Sequence, residues 1–238
     1  MEDRYVVFPV ILDGVSKGLL MAAIDGNNGV ETAETVKEKI GPEFAKALAG
    51  NDADVEKVFD VTFEALDRLT MRNDSGAAVA AVYIPKGEKE AYSAVLGDPF
   101  TLVRGEKNHA YSSHEHNVRA NPEELKAAVA RGAHYMEAEG VITDLVTAKT
   151  NRDANMYATQ LSRALGMQKL KRILSRKPEV TRIVLDEQSI IIVGTDGNFP
   201  NGEARNRVIG KLLYRADQGQ DANELAERAV KYGTKDDV

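Results

Sequence analysis

The sequence predicts an α+β domain in which two antiparallel sheets are layered against helices. Predicted strands occur in hairpins instead of alternating with helices, and this order favours antiparallel sheets over a doubly wound parallel sheet. The 238 residues include 43% hydrophobic and 29% charged side chains, as expected of a globular chain with a sizeable core. Because no internal repeat or clear linker interrupts the chain, we expect a single domain over residues 1–238.

Apolar runs predict the strands, and apolar residues spaced three or four apart predict the helices. Asn121 and Pro122 mark a helix start, as cap and first-turn residue. The segment 140–175 is expected to be irregular and partly helical, and the last two strands are expected to pair as a hairpin. In chain order the predicted elements are strands over 5–12 and 17–24, helices over 30–48 and 55–69, strands over 76–84, 90–96 and 101–104, a helix over 121–130, strands over 181–185 and 189–193, and helices over 203–215 and 223–232.

Composition excludes several classes of protein. A net charge of −6 argues against a nucleic-acid surface, which is usually basic, and suits a protein that gathers cations. The absence of cysteine excludes disulfides and thiolate metal sites. No apolar run reaches about 18 residues, so no transmembrane helix is expected. The first four residues lack the basic-then-apolar order of a signal peptide, which favours a cytoplasmic location, although a cysteine-free chain suits any redox environment.

Two apolar runs from distant parts of the chain end in the same dipeptide, at Asp25-Gly26 and at Asp196-Gly197. A carboxylate where a buried strand meets a turn is well placed to bind a hard cation, and two such carboxylates could share one. Asp-Gly is also a common turn dipeptide, so a plain turn explains either pair taken alone.

Nine short motifs are distributed along nearly the whole chain. They are Met1-Glu2-Asp3, Ala23-Ile24-Asp25-Gly26-Asn27-Asn28-Gly29, Ser75-Gly76-Ala77-Ala78-Val79, Leu96-Gly97-Asp98, Asn121-Pro122-Glu123-Glu124, Leu161-Ser162-Arg163-Ala164-Leu165-Gly166, Lys177-Pro178-Glu179-Val180, Thr195-Asp196-Gly197, and Leu225-Ala226-Glu227-Arg228-Ala229 with Gly233-Thr234-Lys235-Asp236. In this order they resemble the metal-dependent protein phosphatases, the protein phosphatase 2C family. The resemblance implies two packed antiparallel sheets with a helix pair on each outer face. The family has one more strand where this chain ends, so the domain is expected to lack the outermost terminal strands.

The resemblance also implies a metal-dependent activity. Two Mg²⁺ or Mn²⁺ ions would share a bridging water that attacks the phosphorus of phosphoserine or phosphothreonine. By motif position, Asp25 would bridge both ions and Gly26 would offer its carbonyl oxygen. Asp196 and Asp236 would complete the shell of the first ion.

The remaining matched positions concern the other ions. Glu2 and Asp3 would act on or near the second ion, partly through water. Asp98 matches a ligand of a third ion, but Pro200 replaces the other aspartate expected there, which puts that third site in doubt.

Two departures from the family pattern concern catalysis. Asn27 stands where the family has its catalytic histidine, and an amide cannot give a proton to a leaving alkoxide; losing a general acid costs about 10²–10⁴-fold in rate. The family's phosphate-binding arginine would precede Met1, and Arg4 is not its match. Two hypotheses follow: a weakened serine/threonine phosphatase, or a pseudophosphatase that binds a phosphorylated or regulatory protein. An unrelated α+β domain is a third and weaker alternative.

Other polar residues have simpler explanations. Asn27 could instead belong to the cap of the helix that starts at Val30. His114 and His116 have the spacing of zinc ligands on a strand, but without cysteine or a third nearby histidine they are expected to be polar surface residues. Arg163 is expected to anchor structure. A basic cluster is expected to be a solvated face, with a docking surface for phosphorylated or acidic partners as the alternative; it comprises Lys169, Lys171, Arg172, Arg176 and Lys177.

Overall fold

A computed structural model of the protein describes residues 2–51, 54–105, 110–138, 140–147, 158–199 and 205–231. Its strands are β1 (Arg4–Leu12), β2 (Val15–Asn27), β3 (Gly76–Pro85), β4 (Glu90–Leu96), β5 (Phe100–Arg104), β6 (Ala110–Ser112), β7 (His134–Ala138), β8 (Val141–Val146), β9 (Leu165–Gly166), β10 (Glu179–Val184) and β11 (Ile190–Gly194). Its helices are α1 (Glu31–Asn51), α2 (Val55–Thr70), α3 (Pro122–Ala130), α4 (Arg205–Asp217) and α5 (Ala222–Lys231). None of the helices in these ranges is long and apolar enough to cross a membrane.

Two antiparallel sheets face each other. The larger has the order β1-β2-β3-β4-β10, with the short β9 also paired to β3, and the smaller has the order β11-β5-β6. Strand β11 packs on β2 and β3, and β5 packs on β3 and β4. Helices α1 and α2 cover the outer face of the larger sheet, whereas α4 lies on the smaller one. The predicted layered α+β fold is therefore confirmed.

Strand β3 lies at the centre of the core because small side chains let both of its faces be covered closely. Its first eight residues are buried, and alternate positions face opposite layers. Tyr83 points to the helix layer, where its ring centroid lies 4.8 Å from that of Phe44. Ala78 belongs instead to the core on the opposite face. The strand therefore anchors the helices on one side and approaches the second sheet on the other.

The predicted hairpin over 181–193 is wrong. Strand β10 pairs with β4 in the larger sheet, whereas β11 pairs with β5 in the smaller one. The reason is that each strand is paired along its whole length with a strand elsewhere in the chain, Glu179–Val184 with β4 and Ile190–Gly194 with β5. In the connecting turn Asp186 accepts hydrogen bonds from the Gln188 N–H and the Ser189 hydroxyl, both at 3.0 Å, and the chain crosses from one sheet to the other.

The expected irregular segment over 140–175 contains two strands that the sequence did not predict, β8 and the short β9. β8 pairs with β7 as a separate two-stranded sheet. Neither strand is an apolar run, since β7 has no buried residue, β8 is buried only at its end, and each mixes charged with apolar residues. The helical part within the described portion of this segment is a short 3-10 turn at Gln168–Leu170.

Candidate metal centre

Strand β2 continues three residues past its predicted end at Ile24. Asp25, Gly26 and Asn27 are paired in register with residues of β3, and Asp25 lies opposite Ala78. A plain turn is therefore the wrong explanation for the first Asp-Gly pair. The second pair does begin a turn, because Asp196 starts a 3-10 turn directly after β11.

Three aspartates from three strand ends meet at one edge of the facing sheets. Asp25 lies near the end of β2, Asp98 follows β4, and Asp196 follows β11. One carboxylate oxygen from each residue lies within 4.8 Å of the other two. The structure thus brings together two aspartates that the sequence assigned to a shared ion and a third, Asp98, that it assigned to a separate and doubtful site. Carboxylate oxygens in such a group are the ligands that hard divalent cations prefer.

Close backbone packing explains how Asp98 reaches Asp25. Gly97 has a φ of +102°, and a Cβ atom there would collide with the Cβ of Ala78. Since Ala78 is the strand partner of Asp25, the absence of a side chain at Gly97 lets the turn that carries Asp98 lie against the same point of β3.

The cluster concentrates negative charge where water is scarce. Burial, followed by the charges of Asp98, Asp196 and Asp3, raises the pKa of Asp25 to about 10. Burial, followed by the charge of Asp196, raises the pKa of Asp98 to about 7. Buried like charges are costly unless protons or a cation neutralise them. The three residues therefore fit a divalent ion in both ligand chemistry and charge.

His116 and Asn117 hold the turn that carries Asp98, and the sequence analysis missed this role. The Gly97 N–H donates to His116 Nδ1 at 3.2 Å, and the His116 N–H donates to the Gly97 carbonyl at 3.0 Å. Asn117 Nδ2 donates to Asp98 Oδ2 at 3.3 Å. His116 is fully buried, so its expected place on the surface is wrong. The sequence carried no signal for these contacts, because they join two segments that lie about twenty residues apart.

Glu179 at the start of β10 faces both histidines. His114 Nδ1 lies 2.7 Å from Glu179 Oε1, and His116 Nε2 lies 3.3 Å from Oε2. Burial, followed by the charge of Arg163, lowers the pKa of His116, which is consistent with a neutral ring that accepts at Nδ1. Among the described residues, the histidines do not join a group of three potential metal ligands.

A further carboxylate, that of Glu115, lies close enough to Asp196 for their charges to interact. Burial raises its pKa, the charge of Arg205 lowers it, and that of Asp196 raises it. Arg205 Nη1 lies 3.1 Å from Glu115 Oε2, and the guanidinium stacks 4.6 Å from the ring centroid of Phe199. Glu115 and Arg205 were also missed, because the sequence does not show that the first turn of α4 returns to this loop.

The structure describes some, but not all, of the other residues that were predicted for this site. Glu2 Oε1 accepts a hydrogen bond from the Gly29 N–H at 3.0 Å. A Cβ atom at Gly26 would lie 2.6 Å from the Glu2 carbonyl oxygen, so the N-terminal segment requires glycine there. Asp3 is close enough for its charge to affect Asp25. Asn27 is half-buried at the end of β2, whereas Asp236 and Pro200 fall outside the described residues.

Arg4 and three residues of the basic cluster have partners among the described residues. Arg4 donates from Nε to Glu34 of α1. Arg176 donates to the carbonyl oxygens of Ala164 and Gly166 and pairs with Asp67, so it does not belong to a solvated face. In the same cluster Lys169 pairs with Asp74, and Lys177 pairs with Asp60.

Arg163 anchors structure, as predicted. Its Nη2 pairs with Glu124 Oε1 at 2.5 Å, and its Nη1 donates to the Lys177 carbonyl at 3.3 Å. The Glu124 carboxylate also accepts from the Ser162 hydroxyl. These bonds connect α3 to the segments before and after β9.

The chain matches the model of a known protein family. The model of the family described as Protein phosphatase 2C matches residues 1–238. No curated protein sequence matches the chain significantly.

Solved structures agree in fold. A Caenorhabditis elegans sex determining protein superposes with a TM-score of 0.81 at 18% identity, covering 99% of this chain and 59% of that one. Serine-threonine phosphatase 2C from Toxoplasma gondii gives 0.73 at 17% identity, covering 97% and 84%. Another Toxoplasma gondii phosphatase gives 0.71 at 17% identity, covering 100% and 79%. This chain thus spans less than two thirds of the first of these structures. Because the family model matches its whole length, the chain belongs to the protein phosphatase 2C family.

Proposed function

We propose that the chain is a Mg²⁺- or Mn²⁺-dependent serine/threonine phosphatase domain with weakened turnover, acting on phosphoserine or phosphothreonine in proteins. The observation that carries this proposal is the meeting of Asp25, Asp98 and Asp196 within 4.8 Å. Three segments far apart in sequence supply these carboxylates. The sheet edge thereby carries an electrostatic cost that a bound divalent cation would offset.

The donor set decides which ions fit. Carboxylate oxygens without thiolate or imidazole favour Mg²⁺ and Mn²⁺ over softer metals. Asp25, Asp98 and Asp196 would hold the ions, and we propose that a second set contributes from the family register: Glu2, Asp3, Asp236 and the Gly26 carbonyl. When bound, such ions supply charge neutralisation for a phosphoryl group and lower the pKa of water.

The chain's own residues explain why turnover would be weak. Asn27 follows the metal-binding Asp25-Gly26 pair and is half-buried at the same sheet edge. Its amide can donate a hydrogen bond to an oxygen of the substrate, but it cannot transfer a proton to the leaving group. Without this acid, substrate binding and metal electrostatics would still contribute to catalysis. We therefore expect turnover to be slow but not absent.

A pseudophosphatase is the second candidate function, and Asn27 is the observation that favours it. In this case the fold and the acidic centre would serve to bind a phosphorylated or regulatory protein. In both cases we propose that residues 1–238 act as one domain and that the location is cytoplasmic.

Activity and metal binding measured together separate the candidates. We would titrate Mn²⁺ calorimetrically and assay a phosphothreonine peptide with wild type, Asn27→His and Asp196→Asn. Asp54→Asn is the matched control, because asparagine also caps a helix and Asp54 is exposed at the start of α2.

We expect metal binding and slow turnover in wild type and the control. Asn27→His is expected to raise turnover by about 10-fold or more, and Asp196→Asn to abolish it. Metal binding with no turnover in both wild type and Asn27→His would leave the pseudophosphatase as the remaining candidate function. Absence of metal binding in wild type would contradict the phosphatase proposal.

A further inference from the structure

The side chain of Asn117 contacts Arg119, Asp98 and the side-chain amide of Gln160, and the first two determine its orientation. Its Oδ1 accepts a hydrogen bond from the Arg119 N–H at 3.0 Å, and its Nδ2 donates to Asp98 Oδ2 at 3.3 Å. A backbone N–H can only donate, so the amide oxygen must face Arg119 and the amide NH₂ must face Asp98. Asn117 is only 8% exposed, which limits competition from water for these bonds.

The backbone around Asn117 is also held in place. The N–H groups of Ala120 and Asn121 both donate to the Asn117 carbonyl, at 3.1 and 2.9 Å. Asn117 forms an antiparallel bridge with Leu161. The donor that reaches Asp98 therefore comes from a turn tied to two neighbouring segments.

Asp98 is constrained from both ends. The His116 ring and backbone bond to both polar groups of Gly97 and so fix the backbone that carries Asp98. The Asn117 amide restrains its carboxylate. Without this amide, a carboxylate facing Asp196 would be free to rotate away from its neighbour's negative charge.

We propose that Asn117 is a positioning residue of the metal centre, which holds the Asp98 carboxylate in the orientation in which it meets Asp25 and Asp196. This inference rests on the proposed metal-dependent function. Asn117 does not touch the ion or the substrate and acts only through Asp98. Outer partners of metal-binding carboxylates typically alter metal affinity by about 10–100-fold when they are removed.

The test compares the same substitution at two asparagines of one loop. Asn117→Leu removes the amide that bonds Asp98 while keeping a similar volume. Asn121→Leu is the matched control, because Asn121 also uses both ends of its amide: Oδ1 accepts from the Glu123 N–H at 3.1 Å, and Nδ2 donates to the Glu115 carbonyl at 3.1 Å. The control therefore suffers comparable local damage without losing a contact to Asp98.

The readouts are the Mn²⁺ dissociation constant from calorimetry and the melting temperature of the metal-free protein. We expect Asn117→Leu to weaken Mn²⁺ binding by about 10-fold or more, and Asn121→Leu to change it by less than about 3-fold, even if both lower the melting temperature. Asn117→Ser, which keeps a shorter donor, should lie between wild type and Asn117→Leu, and it replaces Asn117→Leu if that variant does not fold.

Two results would overturn the inference alone: wild-type Mn²⁺ affinity in folded Asn117→Leu or Asn117→Ser, or equal weakening by Asn117→Leu and Asn121→Leu. Failure of wild type itself to bind Mn²⁺ would instead overturn the proposed function on which the inference rests.

Discussion

At the residue scale, Asp25 shows how stability and metal binding oppose each other. Its carboxyl group shares a water-poor edge with Asp98 and Asp196, and burial together with their charges raises its pKa. We predict that Asp25→Asn stabilises the metal-free protein by about 1–2 kcal/mol at neutral pH, because an isosteric amide carries no charge to be repelled and requires no proton uptake on folding. The melting temperature should rise by about 2–8 °C, while Mn²⁺ no longer raises it.

A decrease in the melting temperature of metal-free Asp25→Asn would contradict this prediction. Asp54→Asn controls for the amide substitution and should change neither quantity.

The same carboxylate predicts a pH dependence. The folded-state pKa of Asp25, about 10, lies above its ordinary value of 3.8, so the folded protein binds this proton more tightly than the unfolded chain does. Its contribution to the stability of the metal-free protein is therefore present at low pH and declines as the pH rises from about 4 through neutrality.

We accordingly predict that the stability gained in Asp25→Asn is larger at about pH 8 than at about pH 5. Chemical denaturation of both proteins at the two pH values measures this difference. An equal gain at both values would mean that Asp25 titrates normally.

The sequence could predict residues that a local motif marks, and it failed where only the packing of distant segments brings residues together. Asp25 and Asp196 were predicted to cooperate because each ends an apolar run. Asp98 was assigned to a separate site, since only the packing of Gly97 against Ala78 shows that it reaches the other two. Asn117 had no signal in the sequence.

At the scale of the element, the turn between β4 and β5 determines where Asp98 lies. A side chain at Gly97 would collide with Ala78 in addition to its positive φ. At Gly87, with a φ of +82°, a Cβ would meet no atom of the described residues within 4 Å beyond its chain neighbours. We predict that Gly97→Ala lowers the free energy of unfolding by about 3 kcal/mol or more, through overpacking and strain. Gly87→Ala should cost about 1 kcal/mol from strain alone.

Urea denaturation measures both variants, and similar losses would show that the close approach at Gly97 is unimportant. Mn²⁺ affinity should fall only in Gly97→Ala.

Helix α3 is joined to the rest of the domain by a buried ion pair. Arg163→Met would leave the carboxylate of Glu124, which is 7% exposed, without its cation. We predict a loss of about 3 kcal/mol, or about 6–12 °C in melting temperature. Lys126→Met breaks the exposed pair with Glu123 on the same helix and should cost less than about 0.5 kcal/mol. Equal losses in thermal unfolding would contradict the anchoring role of Arg163.

Element prediction from the sequence succeeded where apolar periodicity was continuous, as in α1, α2 and the hairpin of β1 and β2. It failed for β7 and β8, whose strands mix charged and apolar residues. It also mispaired β10 and β11, because proximity in sequence suggests a hairpin while each strand in fact pairs fully with a strand of a different sheet.

At the scale of the whole molecule, the acidic centre connects the two sheets. Asp25 and Asp98 belong to the larger sheet and the turn that follows it, and Asp196 follows the smaller one. A cation bound by all three would oppose separation of the layers. Its binding free energy would therefore add to the stability of the entire fold, by about 2.7 kcal/mol at a concentration of 100 times Kd.

Calorimetric titration of the metal-free protein with Mn²⁺, on wild type, Asp25→Asn and Asp54→Asn, is the most direct measurement of whether this centre binds metal. We predict saturable binding of at least one ion in wild type and Asp54→Asn and its loss in Asp25→Asn. No binding in wild type, or the same binding in Asp25→Asn, would contradict the assignment of the three aspartates as a metal centre.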